Sequence, residues 1–177
     1  MRCFVALETS EEVKETLSQV IRGAKSLGVD ASFVKPDQLH ITMAFLGEIS
    51  GEEAEEKAAN LEELDFPSFD LEIKGLGFFP DDNYIKVFWA GCKSESLKAL
   101  QKRVAELVES REEREFTEHL TLARIRSARN ADSLKAFKKK HEGDSFGTFR
   151  ADTVTFKKST LTPNGPVYED LAVISLK

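Results

Sequence analysis

The sequence predicts an α+β fold, with two pseudo-symmetric lobes of antiparallel β-sheet flanked by helices and a functional cleft between them. Three observations carry that prediction. The order β-α-β-α-β runs twice along the 177 residues and ends in one closing strand. The second strand of each run opens on the same phrase, His40-Ile41-Thr42 and His119-Leu120-Thr121. No long structureless segment interrupts either run, so the connections suit one bilobal domain over 1–177, with lobe-forming halves at about 1–80 and 84–177.

The elements follow in order. MRCFVALE is rich in strand formers. It leads into an amphipathic helix with a capping box at Thr9 and Glu12 and a stripe of Val13, Leu17, Val20, Ile21, Ala24 and Leu27. Pro36 and Asp37 break the chain before the strand QLHITMAFLG. Gly51 to Leu64 reads as an acidic helix stopped by Pro67, and FDLEIKGLGFF as a strand. After the turn PDDN the order restarts with the strand YIKVFWAG and a helix from about Ser96 to Ser110. The strand FTEHLTLARI follows, then a helix capped by Asn130 that runs to about His141. TFRADTVTFKKSTL is a strand, TPNGP a turn, and VYEDLAVISL the closing strand.

Composition narrows the function classes. At 41% apolar and 32% charged, the chain has the make-up of a soluble domain with a sizeable core. No apolar run reaches the roughly 18 residues of a membrane span, and the N-terminus lacks the pattern of a signal peptide, so a cytoplasmic location is expected. Cys3 and Cys92 form no C-x-x-C motif and read as small buried side chains. The net charge of −6 argues against a generic nucleic-acid binder, but it is unevenly spread. Residues 1–90 hold 8 basic against 18 acidic side chains, residues 91–177 hold 17 against 13, and the stretch 119–158 holds 10 against 4. Such a stretch is either a solvated Lys-rich surface or a local face for phosphates.

The paired His-x-Thr phrases point to chemistry. In a strand His40 and Thr42 share one face while Leu39, Ile41, Met43 and Phe45 share the other, and His119 and Thr121 repeat the arrangement. A duplicated fold brings equivalent positions together across a pseudo-two-fold axis. Two imidazoles and two hydroxyls then converge on one groove. Imidazole titrates near ~6.5, so one ring can serve as general base while the other serves as general acid. The hydroxyls can donate to the non-bridging oxygens of a phosphodiester. The chain has ten threonines. Chance puts Thr at +2 of a given His about 6% of the time, and of two histidines in three about once in a hundred. The third, His141, has no Thr at +2 and reads as a surface residue at a helix end. Phe78, Phe79, Tyr84 and Trp89 read mostly as core, with one or two lining the groove.

On these residues the chain resembles the two-histidine (2H) phosphoesterase superfamily, and within it the RNA 2′,3′-cyclic phosphodiesterases also known as 2′-5′ RNA ligases (LigT/ThpR). The likeness runs through RCFVALE, LHITMAFLGEI, VFWAGC, HLTLARIRS and STLTPNGPVYEDL, nearly the whole chain. The resemblance implies His40 as proton donor to the leaving 3′ oxygen, His119 as the base that activates water, and Thr42 and Thr121 as phosphate ligands. It also implies a role for Arg124. Strict alternation sets Arg124 on the face opposite His119, so it reaches the groove only across a twist or a bulge, and otherwise is a surface residue at the strand end. Phe33 stands where the family commonly has Trp, and Glu118 where it often has Pro. By alternation Glu118 points away from His119.

The expected activity is opening of an RNA 2′,3′-cyclic phosphate to a 2′-phosphomonoester, reversible as an ATP-independent 2′-5′ ligation, with no cofactor and no metal. The expected partner is RNA with such an end, tRNA fragments among them, and the chain is expected to be a monomer without membrane contact. One alternative keeps the site but takes small cyclic nucleotides or ADP-ribose cyclic phosphate. Another is a non-catalytic RNA-binding module whose histidines hold structure or a metal, although zinc sites use three or four ligands and neither segment supplies them.

Overall fold

The computed structural model describes residues 1–177. The first half runs β1 (Arg2–Glu8), α1 (Glu11–Lys25), β2 (Ala31–Phe33), a 3-10 turn over Pro36–Gln38, β3 (His40–Glu48), α2 (Gly51–Leu61), β4 (Phe69–Lys74) and β5 (Leu76–Pro80). The second runs β6 (Ile85–Gly91), α3 (Glu95–Leu107), β7 (His119–Ile125), α4 (Ala131–Lys140), β8 (Ser145–Ala151), β9 (Thr153–Thr162) and β10 (Gly165–Ser175).

The helices start where short polar side chains satisfy free N–H groups, with two corrections to the expected caps. Ser10, not Thr9, caps α1 by accepting from Val13 N, and the buried Thr9 hydroxyl instead donates to the Leu39 carbonyl. Asn130 precedes α4 but makes no capping bond. Its backbone is left-handed, with φ of 57°, and its amide donates to the carbonyls of Leu27 and Gly28, tying α4 to the loop after α1. α2 has the reciprocal Ser50–Glu53 box, and Ser94 caps α3.

Two segments that read as single strands are each two. Gly75, at φ of +75°, takes a left-handed conformation that other residues rarely adopt and turns β4 away from β5. Likewise the chain leaves one sheet for another at Asp152, between β8 and β9. The reason is pairing. β4 pairs with β8 in a two-stranded ribbon, while β5 and β9 enter larger sheets. Those sheets have the orders β10-β9-β1-β3 and β2-β7-β6-β5, antiparallel throughout.

Residues 1–80 and 84–177 therefore do not each close a lobe of their own. β1 and β6 are inner strands that need partners on both sides, and each takes its second partner from the other half, β9 beside β1 and β5 beside β6. The pseudo-symmetry survives this exchange, with β9-β1-β3 matching β5-β6-β7. One continuous cluster of buried apolar side chains, 40 residues in all, joins the helices to both sheets.

The match extends to a shared irregularity. Ala6 faces Thr42 and Val5 faces Ala44, which leaves Met43 as an extra residue in β3. Trp89 faces Thr121 and Phe88 faces Ala123, which leaves Leu122 as an extra residue in β7. These are β-bulges at equivalent positions. The carbonyls they free are both satisfied, that of Met43 by the Gln101 amide at 3.1 Å and that of Leu122 by Val34 N at 2.9 Å.

Candidate active site

Each histidine is the first residue of its strand, and each ring is held the same way. His40 Nδ1 lies 2.7 Å from the Gln38 carbonyl, and His119 Nδ1 lies 2.7 Å from the Thr117 carbonyl. A carbonyl only accepts, so Nδ1 carries the proton in both rings. In the neutral ring that leaves Nε2 as the acceptor nitrogen. His40 Nε2 is 3.1 Å from Thr42 Oγ1. Phe4 stacks on His40 at 5.0 Å between centroids and Tyr168 meets it edge-on. Phe79 and Trp89 meet His119 edge-on at 4.9 and 6.4 Å. Trp89 in turn covers Gly77, where a Cβ would collide with the indole. Of the four aromatics that read as core, Phe78 is buried, Phe79 and Trp89 flank a histidine, and Tyr84 is exposed on another face.

The bulges decide which face Arg124 occupies. An extra residue in a strand reverses the alternation beyond it, so Arg124 returns to the face of His119 and Thr121. The same bulge in β3 brings Phe45 to the face of His40 and Thr42. Both strands show an identical run of burial over the first six residues, with His, Thr and the sixth residue outward and the other three buried. Arg124 and Phe45 are thus equivalent positions carrying different chemistry.

β3 and β7 pack against each other across the sheets. His40, Thr42, His119, Thr121 and Arg124 line one cavity of about 570 Å³. Arg2 from β1 and Lys35 from the loop before β3 also line it, and no carboxylate does. The wall is therefore cationic in a protein of net charge −6. The basic stretch 119–158 is not the source of that character. Of its ten cations only Arg124 lines the cavity, while Arg126, Lys138, Arg150 and Lys158 are paired with Asp30, Asp82, Asp70 and Glu169.

Burial lowers the pKa of both imidazoles below the ordinary histidine value, against a raising influence from the carbonyl at each Nδ1. Their charged neighbours differ. His40 faces Glu8 across the β1–β3 ladder, and that carboxylate favours the charged ring, with Lys157 and Lys14 opposing it. His119 faces Gly91 instead, and its charged neighbour is Arg124, which disfavours the charged ring. Glu8 belongs to a chain of charges, with Lys157 Nζ 2.7 Å from Glu8 and 2.8 Å from Asp170. Burial opposes charging Lys157, but the contacts with Asp170 and Glu8 outweigh it and raise its pKa. Burial also raises the pKa of Tyr168, with Arg124 from the other sheet acting in the opposite direction.

Glu8→Gln should therefore make His40 harder to protonate. The carboxylate stabilises the imidazolium, so its removal moves the His40 titration to lower pH, while Lys157, Lys14 and Tyr168 remain in place. With only three histidines, ring-proton NMR resolves each midpoint. A His40 midpoint that stays fixed contradicts the assignment, and the His119 midpoint serves as the internal control.

The other positions singled out in the sequence lie elsewhere. His141 ends α4 and sits 2.8 Å from Asp144. Glu118 turns away from the cavity and pairs with Lys98 at 3.7 Å. Cys3 and Cys92 are free and buried, and burial pushes the Cys92 thiol up to about 12. The sequence reading missed Arg2, Lys35, Gln38, Tyr168 and the Glu8–Lys157–Asp170 chain. A signal existed for Arg2 and Glu8: they begin and end one face of RCFVALE, the strand that pairs with β3. No helix is long and apolar enough to cross a membrane.

The family model described as LigT like Phosphoesterase matches residues 7–89 and 91–168. A relative from Methanocaldococcus jannaschii named RNA 2′,3′-cyclic phosphodiesterase is 36% identical over 172 residues, spanning 96% of this chain and 97% of its own. Another of that name from Thermotoga maritima is 32% identical, spanning 97% and 93%. A Thermus thermophilus protein of solved structure superposes with a TM-score of 0.83 at 26% identity, covering 99% of this chain and 97% of that one. Escherichia coli LigT in its apo form shares the fold, with a TM-score of 0.80 at 22% identity over 99% and 97%. With one His-x-Thr strand in each matched segment and relatives aligned over nearly its full length, the chain belongs to the LigT-like phosphoesterase family of 2H phosphoesterases.

Proposed function

We propose that the protein opens the 2′,3′-cyclic phosphate at the end of an RNA to a 2′-phosphomonoester, with His119 as general base and His40 as general acid. The observation that carries this reading is the pair of rings pinned at Nδ1, with His40 Nε2 beside the Thr42 hydroxyl and both histidines lining one carboxylate-free cavity. His119 Nε2 takes a proton from water, whose oxygen forms a new bond to phosphorus. The P–O3′ bond breaks, and His40 Nε2 gives its proton to the departing O3′. In-line displacement needs the two groups on opposite sides of phosphorus, which suits rings supplied by different sheets. Thr42, Thr121 and Arg124 stabilise the charge that builds on the non-bridging oxygens.

Burial lowers the pKa of both rings, but their charged neighbours differ in the sense this polarity needs. Glu8 favours the protonated form of His40 against Lys157 and Lys14, and Arg124 favours the neutral form of His119. The shared name of the full-length relatives supports the same substrate class. With an RNA 5′-hydroxyl in place of water as the nucleophile, the same proton transfers form a P–O5′ bond as P–O3′ breaks, giving a 2′-5′ linkage without ATP. These residues supply proton removal, proton delivery and oxygen donors by themselves.

The test is incubation with an oligoribonucleotide ending in a 2′,3′-cyclic phosphate, with EDTA present, followed by analysis of the product end. A 2′-phosphate beside a free 3′-hydroxyl is expected. A 3′-phosphate, or an intact ring, contradicts the proposal.

A further inference from the structure

Two depressions adjoin the catalytic cavity and share wall residues with it. One, of about 210 Å³, is lined by Ser18, Arg22 and Lys25 of α1 and by Phe33, Val34 and Lys35, the last three of which also line the catalytic cavity. The other shares Phe45 with the catalytic cavity, from β3 rather than β2. Their charges differ in sign. The first contains three cations and no carboxylate. The second contains Glu48, Glu53, Glu109 and Glu112 against Lys57 and Arg111. A phosphate chain leaving the catalytic cavity is attracted toward the first and repelled from the second.

We infer that the Arg22–Lys25–Phe33–Lys35 depression binds the RNA segment immediately 5′ of the reacting end. This rests on the proposed reaction at the catalytic cavity. The cyclic phosphate closes the 3′ end of a strand, so every further nucleotide lies on its 5′ side and must leave the cavity by one of its rims. Phe33 belongs to β2, whose Ser32 faces Arg124 across the ladder to β7, so this rim lies directly beside the phosphate-binding arginine. Phe33 is partly exposed, and Lys25 Nζ sits 5.6 Å from the centre of its ring. An aromatic face flanked by cations is the arrangement that binds single-stranded RNA, with the ring stacking a base and the cations meeting phosphates. Arg22, Lys25 and Lys35 make no ion pair within the chain, unlike Arg126, Lys138 and Arg150. The C-terminal end of α1 contributes about half a negative charge, which Arg22 and Lys25 in its last turn outweigh.

Equilibrium binding separates this site from the chemistry. A 5′-labelled hexaribonucleotide ending in a 2′-phosphate, a product that is not turned over, is titrated by fluorescence anisotropy at several salt concentrations. Arg22→Gln/Lys25→Gln is expected to weaken binding about tenfold at low salt. It should also flatten the slope of log K against log salt by about 1.4, two contacts at about 0.7 each. Lys57→Gln/Arg111→Gln in the acidic depression should leave both quantities as in the wild type. Equal affinity and slope for Arg22→Gln/Lys25→Gln and wild type overturn the inference, as does a loss of equal size in Lys57→Gln/Arg111→Gln. Wild-type binding with the expected slope but no turnover of a cyclic-phosphate end leaves the site standing and overturns the proposed reaction instead.

Discussion

His119→Ala is expected to lower kcat/KM for a 2′,3′-cyclic phosphate end by about 10²–10⁴-fold, and His40→Ala by a comparable factor. Each substitution removes one side of a concerted proton exchange. Without His119 the water attacks unassisted, and without His40 the 3′ oxygen leaves as an alkoxide. The double variant should fall little below the worse single one, because groups that act as a unit are non-additive. Steady-state kinetics of the three variants checks this, with circular dichroism to confirm folding. A single variant that keeps wild-type activity contradicts the acid–base pairing.

Arg124→Ala carries the next largest effect, a loss of about 10²–10³-fold concentrated in kcat. The guanidinium is brought to the cavity by the bulge at Leu122, and its charge counts most when negative charge peaks on the phosphate oxygens. The substitution has a second, separable consequence. Arg124 disfavours protonation of His119, so its removal should move the His119 titration to higher pH. Arg124→Lys keeps the charge but not the fork of donors, and should restore part of the rate. An Arg124→Ala enzyme with wild-type kcat and an unmoved His119 midpoint contradicts this account.

The position of Arg124 shows where sequence reading reached and where it stopped. The periods of the strands and helices were legible, as were the paired His-x-Thr phrases. The bulge was legible only in retrospect. Thr42 and Thr121 are each followed by two apolar residues, Met43-Ala44 and Leu122-Ala123, so alternation fails at the same place in both strands. Strict alternation leaves Arg124 either at the strand-end surface or in the groove by way of a bulge, and the register decides for the bulge. The exchange of β5 and β9 between halves left no local trace, because which sheet edge a strand joins depends on long-range packing. The caps at Thr9 and Asn130 failed for a related reason. Both residues have cap chemistry, but their side chains are engaged with the Leu39, Leu27 and Gly28 carbonyls, contacts that only the folded chain creates. Glu8 was visible as one acidic residue ending an apolar strand, yet its pairing with His40 and Lys157 required the register.

The two histidines are held almost identically, so the mechanism turns on the division of labour between them. A substrate whose bridging 3′ oxygen is replaced by sulfur isolates it, since a thiolate leaves without protonation. His40→Ala should recover most of its lost rate on this substrate, and His119→Ala should not. Recovery in His119→Ala alone, or in neither variant, contradicts the assignment of His40 as the acid.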